Sequence, residues 1–132
     1  VSAVDLITRK IPFLLIALLL FAAPTTTYAG GFELMQTFSL RITIVENGTE
    51  HEWEYDSPNH YEYEEGSTVI KGAAAKKQVD QILNTLQVEK DRTRKQYEEA
   101  LKEEYAKLES FDIRFIDEDD HLYTWGWQNK NE

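Results

Sequence analysis

Histidine is the side chain of this sequence best suited to chemistry near neutral pH, and it occurs three times, at positions 51, 60 and 121. Each has carboxylates close by: Glu50 and Glu52 beside His51, Asp56 near His60, and Asp119 with Asp120 ahead of His121. Imidazole nitrogen with carboxylate oxygen is a zinc-binding combination, and the acidic run Asp117–Asp120 suits a harder cation such as calcium. His51, His60, His121, Asp119 and Asp120 are therefore the candidate metal ligands. Their spacing argues against a site, because the sequence has no His-x-x-x-His pair and no glycine-containing calcium loop. The expectation is a chain with neither metal nor cofactor.

Catalysis without a metal needs a nucleophile or a sheltered acid–base group. The sequence has no cysteine, no Gly-x-Ser-x-Gly turn and no glycine-rich phosphate loop. Carboxylates are plentiful, but Glu50, Glu52 and Glu54 alternate along one stretch and all point to solvent in a strand. No catalytic residue is assigned. The expected function is a small exported, non-catalytic binding or regulatory module for a protein or cell-surface ligand. The alternative is a secreted metal-dependent or hydrolytic enzyme that uses the histidine and carboxylate positions.

Charge narrows the partners. The formal net charge is −10, which disfavours nucleic acid, whose affinity comes from clustered Lys and Arg. From Glu33 to Glu65 nine residues are acidic and Arg41 alone is basic, a segregation suited to steering a basic partner. Lys90, Arg92, Arg94 and Lys95 form a small basic knot further on. Tyr61 and Tyr63 are candidates for stacking on a sugar or gripping a peptide, with core packing as the plainer reading. The candidate binding surface is thus Arg41, Glu52, Glu54, Tyr61, Tyr63, Arg92 and Arg94.

These residues must be positioned by a fold, and the amino-terminal stretch is not part of it. Arg9-Lys10, an apolar run from Ile11 to Ala23 and a small or polar stretch ending at Ala29 follow the order of a secretory signal peptide. The run is short for a membrane span, which needs about 20 residues. Residues 1–29 are expected to be cleaved after Ala29, giving a secreted or extracytoplasmic product that is not membrane-bound; the alternative is an uncleaved signal anchor. Loss of Asp5, Arg9 and Lys10 would take the net charge to −11. Residues 30–132 suffice for one domain with one core. With no cysteine, that core must hold it without disulfides.

The organising stretch is Phe38 to Tyr55. Asn47-Gly48 is a strong hairpin signal, since a type I′ turn needs positive φ at both central residues. It pairs Glu46 with Thr49, Ile44 with His51, Ile42 with Trp53 and Leu40 with Tyr55. Phe38, Leu40, Ile42, Ile44, Trp53 and Tyr55 then share an inner face, with Arg41 opposite Glu54 on the outer one. A one-residue slip would expose both aromatics of the second strand, so pattern and turn specify one register. The same reading makes Asn47-Gly48-Thr49 a turn before it is a glycosylation sequon. Tyr61–Glu64 alternates and is either a third strand or an extended loop, and Glu65-Gly66-Ser67 closes the region.

From Gly72 the apolar period becomes helical: Val79, Ile82, Leu83 and Leu86 form one stripe, and Tyr97, Ala100, Leu101, Tyr105 and Leu108 form another. Glu89–Gln96 holds no apolar residue, and Thr93 with Gln96 matches a capping box. Two helices are preferred to one continuous helix over residues 73–108. A closing hairpin with an odd loop, Asp119–His121, pairs Phe115 with Trp125 and Ile113 with Trp127. The whole is an α+β fold: an antiparallel sheet of four to five strands from two hairpins, one face covered by one or two helices.

Overall fold

A computed structural model describes Leu34 and residues 37–130, so the expected signal peptide and leading segment lie outside the described residues apart from Leu34. Eight elements follow in order: β1 Thr37–Glu46, β2 Thr49–Asp56, β3 His60–Glu65, β4 Thr68–Lys71, α1 Ala73–Leu86, α2 Arg94–Glu104, β5 Leu108–Asp117 and β6 Leu122–Gln128. They make one antiparallel six-stranded sheet in the order β4-β3-β2-β1-β5-β6. The fold is α+β, with two helices on one side of the sheet.

The first hairpin has the expected register. Leu40 faces Tyr55, Ile42 faces Trp53, Ile44 faces His51 and Glu46 faces Thr49, with Asn47 and Gly48 at φ 49° and 76°. Phe38 departs from it. A bulge between Thr37 and Ser39 shifts the pairing of β1 with β5, which buries Thr37 and leaves Phe38 60% exposed. One inserted residue reverses the facing of those before it.

Six strands replace the expected four to five because the chain does not stop at Gly66. Gly66 and Ser67 form a two-residue turn with Gly66 at φ 56°, and Thr68–Lys71 returns along β3 with Glu65 opposite Thr68. Gly-Ser is itself a hairpin signal. The first four strands are thus a meander, and the alternating Tyr61–Glu64 segment is a strand.

The helical segment breaks where the apolar residues run out. Gln87 takes a left-handed conformation at φ 48° and ends α1, and Thr93 and Gln96 form the capping box that starts α2. Val88 is fully buried between them. The Tyr97 hydroxyl donates to the Glu89 carbonyl and accepts from its N–H, both at 3.0 Å. Helix α1 packs over β2, β3 and β4, while α2 packs over β5 and β6. Between helices and sheet lies one core, with Leu40, Ile42, Ile44, Val79, Leu86, Tyr97, Leu101 and Ile113 fully buried.

The second hairpin keeps the expected faces but slips by two residues. Phe115 faces Tyr123, Ile113 faces Trp125 and Phe111 faces Trp127. The turn is centred on Asp119 rather than Asp120 because the Asp117 carboxylate takes the N–H groups of Asp119 and His121, and the Asp117 N–H donates to the His121 carbonyl. Asp120 supplies the left-handed residue at φ 68°. A shift of two preserves side-chain facing, so the inner face survives.

Candidate functional site

The strand pairings turn the uncovered face of the sheet into a grid. One row across it reads Lys71, Glu62, Glu54, Arg41, Arg114, Thr124, and the next reads Val69, Glu64, Glu52, Thr43, Asp112, Gly126. At its centre four carboxylates stand in a block. Glu54 faces Glu62 and Glu52 faces Glu64 across neighbouring strands. Like charges directly opposite in a sheet are destabilising.

Two cations flank the block. Arg41 reaches Glu54 at 3.3 Å through Nε and grips both oxygens of Asp56 at 3.0 and 3.2 Å. Lys71 pairs with Glu62 at 2.5 Å. Glu62, held by the Lys71 ammonium, stays below its ordinary pKa, and Asp56 is held down likewise by Arg41. Glu52 makes no ion pair among the described residues, although the Arg41 charge acts on it from a distance. Partial burial, a hydrogen bond shared with Glu54 and the charges of Glu54, Glu64 and Glu50 push its carboxyl up to about 7. Glu64 is raised as well, first by its hydrogen bond with Glu62. Glu50, Glu52 and Glu54 share the uncovered face as expected, Glu50 exposed and Glu52 and Glu54 half-buried.

Beside the block, the outer surface opens into a groove of about 830 Å³ over β1, β5 and β6. Thr43, Ser110 and Gly126 leave it room, and Glu50 and Asp112 add carboxylates. Arg94 also lines it and is exposed. Of the expected binding residues, Arg41, Glu52 and Glu54 therefore lie together, and Arg94 belongs to the neighbouring groove.

The other three are structural. Tyr61 is buried on the inner face against Tyr55 at 5.0 Å, and Tyr63 packs on Trp53 at 5.2 Å. Neither is presented for stacking on a ligand. Arg92 donates to the Leu86 carbonyl at 2.6 Å, satisfying the end of α1, and lies over the Tyr97 ring.

The histidines do not converge. His51 lies on the inner face between Trp53 and Tyr105, its Nδ1 3.1 Å from the Tyr63 hydroxyl. His60 is exposed at the start of β3 opposite Asp56. His121 joins Asp117 and Asp119 at the β5–β6 turn, where their ligand atoms approach within 4.8 Å. Asp120 and the other histidines are not part of that group. Its buried member is already engaged: Asp117 takes the Lys90 ammonium at 2.8 Å and the two turn N–H groups, contacts that hold its carboxyl well below the usual range. The group closes a turn, and a metal there would compete with Lys90.

Sequence reasoning missed Glu62 and Glu64 as members of the acidic block. Their alternation with Tyr61 and Tyr63 was the signal, but it needed the β2–β3 register to place them opposite Glu54 and Glu52. Among the described residues no helix is long and apolar enough to cross a membrane. No protein-family model matches this chain, and comparison with curated proteins and with solved structures finds no match.

Proposed function

We propose that the chain is an exported, non-catalytic binding module whose uncovered sheet face takes a basic segment of a protein partner. The observation that carries this reading is the pair of like-charged contacts, Glu52 opposite Glu64 and Glu54 opposite Glu62, flanked among the described residues by Arg41 and Lys71. An arrangement that opposes folding is expected where it serves binding. Lysine or arginine from a partner would neutralise the block and lower the pKa of Glu52, so binding near neutral pH would release protons. Export rests on the signal-like order of residues 1–29. The enzyme alternative would rest, among the described residues, on the Asp117, Asp119 and His121 turn, whose buried carboxylate is paired with Lys90.

Titration calorimetry with oligolysine as probe tests the reading. The expected result is salt-sensitive binding, with proton release between pH 6 and 7, that the double change Glu52→Gln and Glu64→Gln weakens by about tenfold or more. Glu99→Gln with Glu103→Gln removes at least as much negative charge, from α2, and should leave affinity nearly unchanged. Equal losses from both double variants would mean that net charge alone attracts the probe, and the site would be abandoned.

A further inference from the structure

The two edges of the sheet differ. β4 is four residues long and ends in Lys71, which is paired with Glu62. Short, charged edges resist pairing with other chains. β6 is seven residues long, Leu-Tyr-Thr-Trp-Gly-Trp-Gln, with no charge and no proline in a protein of net charge −10. It pairs with β5 alone, so its far side carries no strand among the described residues.

Hydrogen-bond parity shows which groups that side presents. Asp117 N–H donates to His121 and Asn129 N–H donates to Glu109 at the two ends of the β5–β6 ladder. With Ile113 opposite Trp125, alternation gives residues 121, 123, 125, 127 and 129 to β5. The backbone N–H and C=O groups of Leu122, Thr124, Gly126 and Gln128 therefore face outward. Tyr123, Trp125 and Trp127 point to the helical side and remain half-buried, whereas their partners Phe115, Ile113 and Phe111 on β5 are 0–4% exposed. The edge offers open hydrogen bonds along an incompletely covered aromatic row.

We propose that β6 pairs antiparallel with β6 of a second copy of this chain about a two-fold axis at Trp125, joining two sheets edge to edge. In this register Leu122 faces Gln128 of the second copy, Thr124 faces Gly126, Tyr123 faces Trp127, and Trp125 faces itself. All four outward residues of each strand then fall in hydrogen-bonded pairs. Centring the axis on Thr124 or Gly126 leaves an outward residue without a partner. No like charges meet within the seven residues, and cross-strand aromatic pairs are favourable ones. The acidic turn at Asp119–Asp120 lies toward Lys130 of the second copy. An isologous contact of this kind closes at two copies and leaves both acidic faces on the same side.

The test is sedimentation equilibrium on the chain isolated from the cell that makes it, its amino terminus fixed by mass spectrometry, with Thr124→Pro as the variant. Proline removes an outward N–H that makes no bond to β5, and edge strands tolerate it. The expected result is a reversible dimer that T124P weakens by about tenfold or more, with near-ultraviolet circular dichroism unchanged. A chain that stays monomeric up to about 100 µM, or a dimer that T124P leaves intact, overturns the proposal. Amide exchange on the unaltered chain decides the matter even if T124P does not fold. The Thr124 and Gly126 amides are expected to lose protection on dilution, and fast exchange at every concentration would exclude the pairing.

Discussion

Leu40, Ile42 and Ile113 are fully buried on the helical side of the sheet, while their chain neighbours Arg41, Asp112 and Arg114 lie on the side that no described element covers. The two faces solve different problems with the same strands. On the inner face almost every contact is apolar, and each large side chain contributes roughly 1.5–3 kcal/mol by leaving water. On the outer face two glutamate pairs oppose each other, and an arginine and a lysine compensate in part. A fold secured on one side tolerates repulsion on the other, which makes the second side the place to look for function.

The sharpest way to break this comparison is to damage the inner face. Trp53 is 4% exposed, stacked near His51 and tilted on Tyr63. Trp53→Ala should cost about 3–5 kcal/mol in urea unfolding, enough to unfold much of the population of a small domain. If W53A melted like the parent, the inner face would not be the source of stability. Leu101→Ala asks whether α2 is an equal partner in the core, since Leu101 is fully buried. A loss of about 2–5 kcal/mol is expected from the cavity it leaves, and an unchanged denaturation midpoint would show α2 to be dispensable.

A smaller effect tests the junction between the helices. Thr93 accepts from the Gln96 N–H at 3.3 Å, while Gln96 accepts from the Thr93 N–H at 2.9 Å. Thr93→Ala should cost about 1 kcal/mol by leaving the first turn of α2 without its cap. A melt unaffected by T93A would mean that Tyr97 and Val88 alone fix the break.

Legibility followed the same division. The first hairpin was readable because turn chemistry and apolar alternation specify one register, and the helices because their stripes and the capping box agree. β4 was not readable as a strand: Thr68–Lys71 is too short to establish a period, and Gly66-Ser67 looks like a stop as much as a turn. Phe38 misled because a bulge is a backbone event that leaves no mark on the alternation. In the second hairpin parity was readable and position was not, since the choice of centre depends on the Asp117 carboxylate finding two turn N–H groups and Lys90. The acidic block needed a pairing between β2 and β3 that no turn motif as strong as Asn-Gly announces. Outer-face function is legible only after inner-face register is known.

The smallest effect is the most specific to the outer face. A carboxyl whose pKa is raised on folding holds its proton in the native state at pH values where the unfolded chain has lost it. Stability from Glu52 is therefore fully present below its unfolded pKa, near 4.5, and is lost as pH rises through about 7. Glu62 and Asp56 are shifted the other way, so their contributions change at and below the ordinary carboxylate range and do not overlap the rise through about 7 that belongs to Glu52. Glu52→Gln fixes the side chain in a neutral form that can still donate to Glu54. Below pH 4.5 the variant and the parent should unfold nearly alike, with the gap opening as pH rises. At pH 8 the variant should be the more stable, by under ~1 kcal/mol because the group is only partly shielded from solvent. Parallel stability curves from pH 5 to 8 would show that the four glutamates do not strain the sheet, and the contrast between its faces would then be one of polarity alone.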